Sequence, residues 1–382
     1  MARKRSDQTS AGFGRGQATT LAIAGILGAA WVGGTVAGKQ RFDPVTGVSP
    51  LTATNVESAS PASGISWDLP NLDHDRVDYW VDRFSGSKRD DFTRFLERSG
   101  RYVPMISAKL EERGMPQDLI YLAMIESGFN PKAYSSANAS GLWQFIAETG
   151  QRYGLDVNRA VDERNDPEKA TDAALTYLTE LYDRFGSWYL AAAAYNTGEN
   201  RVGRIMREET GSEKGTEESY YQIWDRLPRE TRDYVPLMIA AARITKDPHK
   251  FGFGDVQLEA PLSYEEIVVD PATPLPAVAE AAGVKLQDIK QLNPQLKLNR
   301  TRNDMRSVIR VPNGTRTAFL VNWPKVREEK TYAVQEYRIR SGDSLLGIAK
   351  RHGVSVQAIK DANALRGSRI IAGKTLKIPS RG

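Results

Sequence analysis

Leu119-Ile120-Tyr121-Leu122-Ala123-Met124-Ile125-Glu126-Ser127-Gly128 is the stretch on which the reading of this chain turns. The run is almost wholly apolar until Glu126 closes it, and Gly128 and Pro131 stop it. A helix that is apolar all round is a buried helix, and glycine followed by proline is a common way for a helix to end. A carboxyl group at the end of such a helix loses hydration, which penalises its charged form and raises its pKa. A carboxyl that stays protonated near neutral pH is what general-acid catalysis needs. An isolated glutamate at a helix end more often points at solvent, so the surrounding sequence has to decide between the two.

Outward from this run the pattern stays helical. Val77, Trp80, Val81 and Phe84 recur at three-to-four spacing, and Phe92, Phe95 and Leu96 continue it. Pro116 suits the first turn of the helix that carries Glu126. Further helices are predicted over 167–185, 188–195 and 229–245, and no alternating strand interrupts them, so residues 75–255 form one mainly α domain. Asp118, near the start of the Glu126 helix, suits the positive end of the helix dipole. Glu148, Glu163 and Asp166 stand in polar stretches and read as exposed surface charges.

The tail changes character and repeats itself. Residues 275–293 align with 345–363 at an offset of 70, pairing Gly283 with Gly353, Ile289 with Ile359 and Asn293 with Asn363. Short strand patterns flank each copy, which gives two small α+β modules of βααβ type over 262–315 and 335–380. Two short helices around Gly353 also fit a DNA-binding helix-turn-helix locally, but the flanking strands speak against it.

The amino terminus bears on compartment. Arg3, Lys4, Arg5 and Arg15 precede an uncharged run over 18–38, long enough to span a bilayer. Thr35-Val36-Ala37 also has the small residues of a cleavable signal site. Residues 1–38 are therefore expected to be a signal peptide or a membrane anchor, and 39–74 a flexible linker. The rest is expected outside the cytoplasm.

Composition narrows the chemistry. The 382 residues carry 52 Lys+Arg against 47 Asp+Glu, a net charge of +5, with no basic stripe of the kind that binds nucleic acid. There is no cysteine, which excludes disulfides, thiolate nucleophiles and Cys-ligated metals. Only His74, His249 and His352 are present, far apart, so neither a histidine metal site nor a Ser-His triad is expected. No cofactor is implied.

Three spaced motifs follow the opening run: Glu126-Ser127-Gly128-Phe129-Asn130-Pro131 through Ser135, then Gly141-Leu142-Trp143-Gln144-Phe145, then Ala193-Ala194-Tyr195-Asn196-Thr197-Gly198. In this order they resemble the soluble-lytic-transglycosylase family, most closely its membrane-bound type D branch. The block at 96–102 resembles that branch too, and residues 337–379, with Ser341-Gly342-Asp343, resemble a LysM domain. The copy over 262–315 is a degenerate LysM-like module, with Pro271-Ala272-Thr273 in place of that triplet. Members of the branch are often lipid-anchored through a cysteine, which this chain lacks.

The resemblance implies a lysozyme-like catalytic domain and a bacterial envelope enzyme, periplasmic and membrane-associated, acting on peptidoglycan glycan strands. It makes Glu126 the catalytic acid, and the expected product is a 1,6-anhydromuramyl end. By the same carry-over Ser135, Gln144, Tyr195 and Asn196 contact substrate, and Tyr234 orients the glutamate or is a core residue. Trp143 is either core or a flat wall for a sugar ring. Asn138 stands where the family often has glycine. A lysozyme-like hydrolase and a non-catalytic wall-binding protein remain the alternatives.

Overall fold

A computed structural model describes residues 66–331, 334–363 and 365–379. The expected leader over 1–38 and most of the linker over 39–74 lie outside the described residues. Among the described residues no helix is long and apolar enough to cross a membrane.

The helical domain runs α1 (Asp75–Ser85), α2 (Arg89–Glu112), α3 (Ile120–Ser127), α4 (Ala147–Arg152), α5 (Pro167–Phe185), α6 (Trp188–Thr197), α7 (Glu199–Thr210), α8 (Glu217–Gln222) and α9 (Arg229–Lys246). Every residue of α3 is buried. It packs against α2 and α9, while α6 lies against α5, α7 and α9. This is what an all-apolar sequence demands, because no face of α3 tolerates water. α3 and α6, the least polar helices of the domain, therefore form its interior, and amphipathic helices lie outside, α7 on α6 and α1 on α2 and α9.

Residues 66–74 differ from the expected free linker. Leu69 is buried in the core, with Trp67 and Leu72 packed against it. Asp118 holds this segment down: its Oδ2 accepts the Asp68 N–H at 2.9 Å and the Leu69 N–H at 3.1 Å. Its other oxygen meets Lys246 Nζ at 2.6 Å. Asp118 is thus a buried clamp and not a partner for the helix dipole, because the backbone it binds comes from the entering chain.

Two βααβ modules follow. The first is β1 (Glu265–Val269), α10 (Leu275–Ala282), α11 (Leu286–Leu292) and β2 (Ser307–Val311), with β1 and β2 antiparallel. The helix α12 (Arg316–Thr331), beyond the expected end at 315, adds Phe319 and Val326 to the core of this module and packs on α10. The second module is β3 (Val334–Arg338), α13 (Leu345–His352), α14 (Val356–Ala362) and β4 (Thr375–Pro379).

The same asparagine fastens each module. Asn293 donates to the carbonyls of Ile289 and Arg310 and accepts the Arg310 N–H; Asn363 does the same with Ile359 and Lys377. The turn after the first strand is also shared. Gly342 takes φ 86° in the second module, and Ala272 is held at φ 58° in the first, a conformation that costs an L-residue about 1–2 kcal/mol.

Candidate active site

Glu126 sits at the last turn of α3 because the helix has to stop just beyond it. Gly128 adopts φ 57° and its N–H closes on the Met124 carbonyl at 2.7 Å. A Cβ there would lie 2.0 Å from the Phe95 ring, so only glycine lets α2 approach this closely. Arg98, from the 96–102 block, donates to the Gly128 carbonyl at 3.1 Å. Ser127 Oγ donates to the Leu142 carbonyl at 2.8 Å, tying the helix end to the loop over 133–145.

Glu126 is buried, with 8% of the residue exposed. Tyr234, fully buried on α9, donates its phenol to Glu126 Oε1 at 2.5 Å. Burial pushes the Glu126 pKa up to about 7 from an ordinary 4.5, against the opposing pull of the Tyr234 hydrogen bond. No charged neighbour is among the causes of the shift. Burial also drives the phenols of Tyr234 and Tyr195 well above their ordinary range, with the charge of Glu126 next in importance for both. Those phenols stay protonated, so Tyr234 is a permanent donor to the carboxyl.

The loop over 133–145 stands beside this acid as a small irregular hairpin, with bridges between Tyr134 and Ser140 and between Ser140 and Phe145. Three of its residues take positive φ: Asn138 at 62°, Gly141 at 88° and Gln144 at 47°. Asparagine tolerates that region better than other non-glycine residues, and its side chain is held by the Tyr134 hydroxyl at 2.6 Å. The turn expected from glycine is thereby kept.

Gln144 is buried, and its amide NH2 donates to the carbonyls of Ala133 at 3.2 Å and Gly141 at 2.8 Å. Its Oε1 is left without a partner. Substrate contact was expected of Gln144, but its amide donors are consumed by the loop itself, and the unpaired Oε1 is enclosed beside them. Ser135 closes the turn, accepting the Ala139 N–H at 3.0 Å, which leaves its hydroxyl hydrogen to give.

Trp143 is a correction. It is fully enclosed, and its indole N–H donates to Thr171 Oγ1 at 2.9 Å, so it is a core residue and not a wall for a sugar ring. Only its backbone reaches the site, where its carbonyl accepts the Tyr195 hydroxyl at 2.7 Å. Tyr234 likewise has no surface to offer substrate. Its part is to hold Glu126.

Tyr195 and Asn196 are half-buried at the end of α6. Asn196 Oδ1 accepts from Thr231 Oγ1 of α9 at 2.8 Å, leaving its amide NH2 as the free end. Beyond Tyr195 the rings of Tyr177 and Tyr153 continue at centroid spacings of 5.3 and 4.9 Å. Glu199 accepts from Tyr177 at 2.9 Å and from Arg152 at 3.2 Å.

Thr231 and this ring series escaped the sequence reading. Thr231, Tyr177 and Tyr153 sit in no spaced motif; Thr231 and Tyr177 had only their placement on predicted helices as a signal, and Tyr153 had none. Glu148 is exposed as expected, but Asp166 is buried. It caps α5, accepting the N–H groups of Glu168 and Lys169 at 3.1 and 3.2 Å. Among the described residues no group of acids and histidines could hold a metal ion.

Comparison with known proteins agrees with this geometry. Residues 104–217 match the Transglycosylase SLT domain, 263–327 the LysM-like domain of lytic transglycosylase MltD, and 337–379 the LysM domain. Membrane-bound lytic murein transglycosylase D of Escherichia coli K12 is 32% identical over 292 residues, 74% of this chain and 64% of the relative. The chain thus spans a little under two thirds of that protein's length. Soluble lytic murein transglycosylase of the same strain is 28% identical over 168 residues, 43% of this chain and 23% of the relative. The crystal structure of the 70 kDa soluble lytic transglycosylase of Escherichia coli aligns at 24% identity and TM-score 0.35, covering 47% of this chain and 29% of that one. Glu126 and the 133–145 loop thus lie inside the region that is similar to the Transglycosylase SLT domain, and the two βααβ modules behind it are the regions similar to LysM-type domains.

Proposed function

We propose that this protein is a peptidoglycan lytic transglycosylase of the bacterial envelope. It cleaves the β-1,4 bond between N-acetylmuramic acid and N-acetylglucosamine and leaves 1,6-anhydromuramyl ends. The observation that carries the reading is a single sheltered carboxyl, held by a phenol donor, with no charged neighbour acting on it. Two-carboxylate glycosidases need a second acid about 5–9.5 Å away as base or nucleophile, and here one residue has to act twice.

Protonated Glu126 gives its hydrogen to the bridging oxygen as the C1–O bond of the muramyl residue breaks. Positive charge develops at C1, and the substrate's own 2-acetamido oxygen supports it. The carboxylate then takes the proton of the muramyl C6 hydroxyl while O6 bonds to C1, which regenerates the acid and consumes no water. A pKa near ambient pH serves both directions of transfer. Gln144 Oε1, an orphaned buried acceptor, suits the N–H of an acetamido group. The Ser135 hydroxyl and the Asn196 amide are further donors for the glycan.

The second LysM module would hold the enzyme to the strand it cuts, raising the local concentration of cleavable bonds. Membrane attachment through residues 18–38 belongs to the same reading, supported by their uncharged length and by the membrane-bound relative. Mass spectrometry of digested sacculi tests the reaction. Anhydro ends are expected, and reducing ends one water heavier would make the enzyme a muramidase instead.

A further inference from the structure

We propose that the first C-terminal module is a brace for the 133–145 loop of the active site, and that Arg310 is its positioning residue. The module does not hang from the helical domain by its connection alone. The Asp162 N–H donates to the Gln295 carbonyl at 2.9 Å, and the Lys297 N–H to the Ala160 carbonyl at 3.0 Å. An antiparallel bridge between Val161 and Leu296 lies between them. Arg310, buried on β2, places one guanidinium nitrogen 3.1 Å from Asp166 Oδ1 and 3.0 Å from Glu168 Oε2. The Tyr264 hydroxyl donates to the other Glu168 oxygen at 2.6 Å, with its ring under the Arg310 guanidinium.

The segment grasped in this way has the active-site loop on its other side. Between Asp162 and Asp166 lies Arg164, itself buried and paired to both oxygens of Asp162 at 2.8 Å. Its remaining terminal nitrogen donates to the carbonyls of Asn138 at 2.8 Å and Phe145 at 2.9 Å. Ser140 Oγ also donates to Asn165 Oδ1 at 2.7 Å. A Cβ on Gly141 would lie 1.7 Å from the Arg164 carbonyl oxygen, so the loop rests directly on this backbone. The route from module to loop is therefore continuous: Gln295 and Arg310 fix Asp162 and Asp166, Asp162 aims Arg164, and Arg164 closes the hairpin that presents Ser135 and Gln144.

The internal repeat provides a control. Asn293 binds the backbone of Arg310 in the first module as Asn363 binds that of Lys377 in the second, so the two positions are equivalent. Lys377 is exposed, whereas Arg310 is buried against two acids. One face is open in the second module and committed to the catalytic domain in the first. Burying a guanidinium in water-excluded surroundings is costly unless partners compensate; here one terminal nitrogen meets both acids while the guanidinium stacks on the Tyr264 ring, a stacking contact that suits arginine better than lysine.

The kinetic consequence rests on the reaction proposed above; the structural one does not, and the experiment separates them. Full-length protein is compared with Arg310→Met and Arg310→Lys by hydrogen–deuterium exchange and by turnover of soluble glycan strands. In Arg310→Met the amides of 133–145 should exchange on the order of tenfold faster, since a local hold is lost without global unfolding. Those of α3 and α9 should keep their protection, and Arg310→Lys should recover part of the loss. KM should rise while kcat at saturation stays within about twofold and the pH at which activity falls does not move, as when binding common to ground and transition states is lost. Faster exchange confined to 265–311, or spread evenly over 75–246, overturns the brace. Loop acceleration with KM unchanged overturns its role in substrate binding. A wild-type enzyme yielding no anhydro ends would sink the reaction while leaving the exchange result to decide the brace.

Discussion

Replacing Tyr234 with phenylalanine removes the hydrogen bond that the Glu126 carboxyl receives from α9. The ring is fully buried and the phenol oxygen lies 2.5 Å from Oε1, so the substitution removes one hydroxyl and leaves the packing otherwise intact. That bond favours the ionised carboxylate, opposing the burial that pushes the pKa up to about 7. A hydrogen bond to a charged group contributes about 1.5–3 kcal/mol, and each pKa unit corresponds to about 1.36 kcal/mol. Without it the acid holds its proton about one to two pH units further into the alkaline range. A general acid has to be protonated in the resting enzyme, so activity falls as pH rises through its pKa. The alkaline fall of the profile should therefore move to higher pH in Tyr234→Phe, by about one to two units. At pH 6, where both enzymes carry the proton, the rate should still drop by roughly ten- to a hundredfold, because an unheld carboxyl is misaligned with the glycosidic oxygen. Release of muropeptides from sacculi, measured across pH 5–9, reads both effects. An alkaline limb that stays in place or moves to lower pH would refute the reasoning, since it would mean that the phenol does not favour the ionised form during turnover.

Two further outcomes follow from the same site and its surroundings. The folded Glu126 pKa of about 7 exceeds the ordinary 4.5 by 2.5, so ionising the buried acid costs roughly 3 kcal/mol of stability. Because the folded value is raised, this stability is complete below about pH 4.5 and is lost as pH rises through about 7. Glu126→Gln should be close to neutral at pH 4 and stabilising by up to roughly 3 kcal/mol at pH 8 in urea unfolding; an equal effect at both pH values would contradict the burial argument. Truncation after Thr331 removes the second LysM module and leaves the catalytic helices and the first module untouched. Turnover of short soluble glycans should persist while co-sedimentation with sacculi weakens by roughly a hundredfold; unchanged sedimentation would show that this module does not carry the wall contact.

How much of this was legible in the sequence depends on how far each interaction reaches along the chain. The burial of Glu126 could be read from its own helix, since an eight-residue run with no polar face has nowhere to go but inside. The two βααβ modules announced themselves by repeating. What could not be read were pairings between motifs. Tyr234 meets Glu126 across 108 residues, and core packing and carboxyl positioning are equally good reasons for a tyrosine beside Pro236. Trp143 was ambiguous for a related reason: an indole beside the substrate loop suits a sugar or a core, and only Thr171, on another helix, decides it.

Asp166 and Arg310 show the limit most sharply. A polar stretch such as Asp162-Glu163-Arg164-Asn165-Asp166 has the composition of a solvated surface, and by composition alone its charges belong in water. The burial of Asp166 is possible because a module 144 residues further on delivers the opposite charge to the same place. Aligning the repeats does not reveal this, since Arg310 and Lys377 are both basic. Only the neighbouring acids separate a solvent-facing cation from a docked one. A repeat that has drifted from its sibling at the loop over 271–273 yet keeps a buried arginine on its sheet is therefore better understood by what that arginine holds than by the glycan proposed for its sibling.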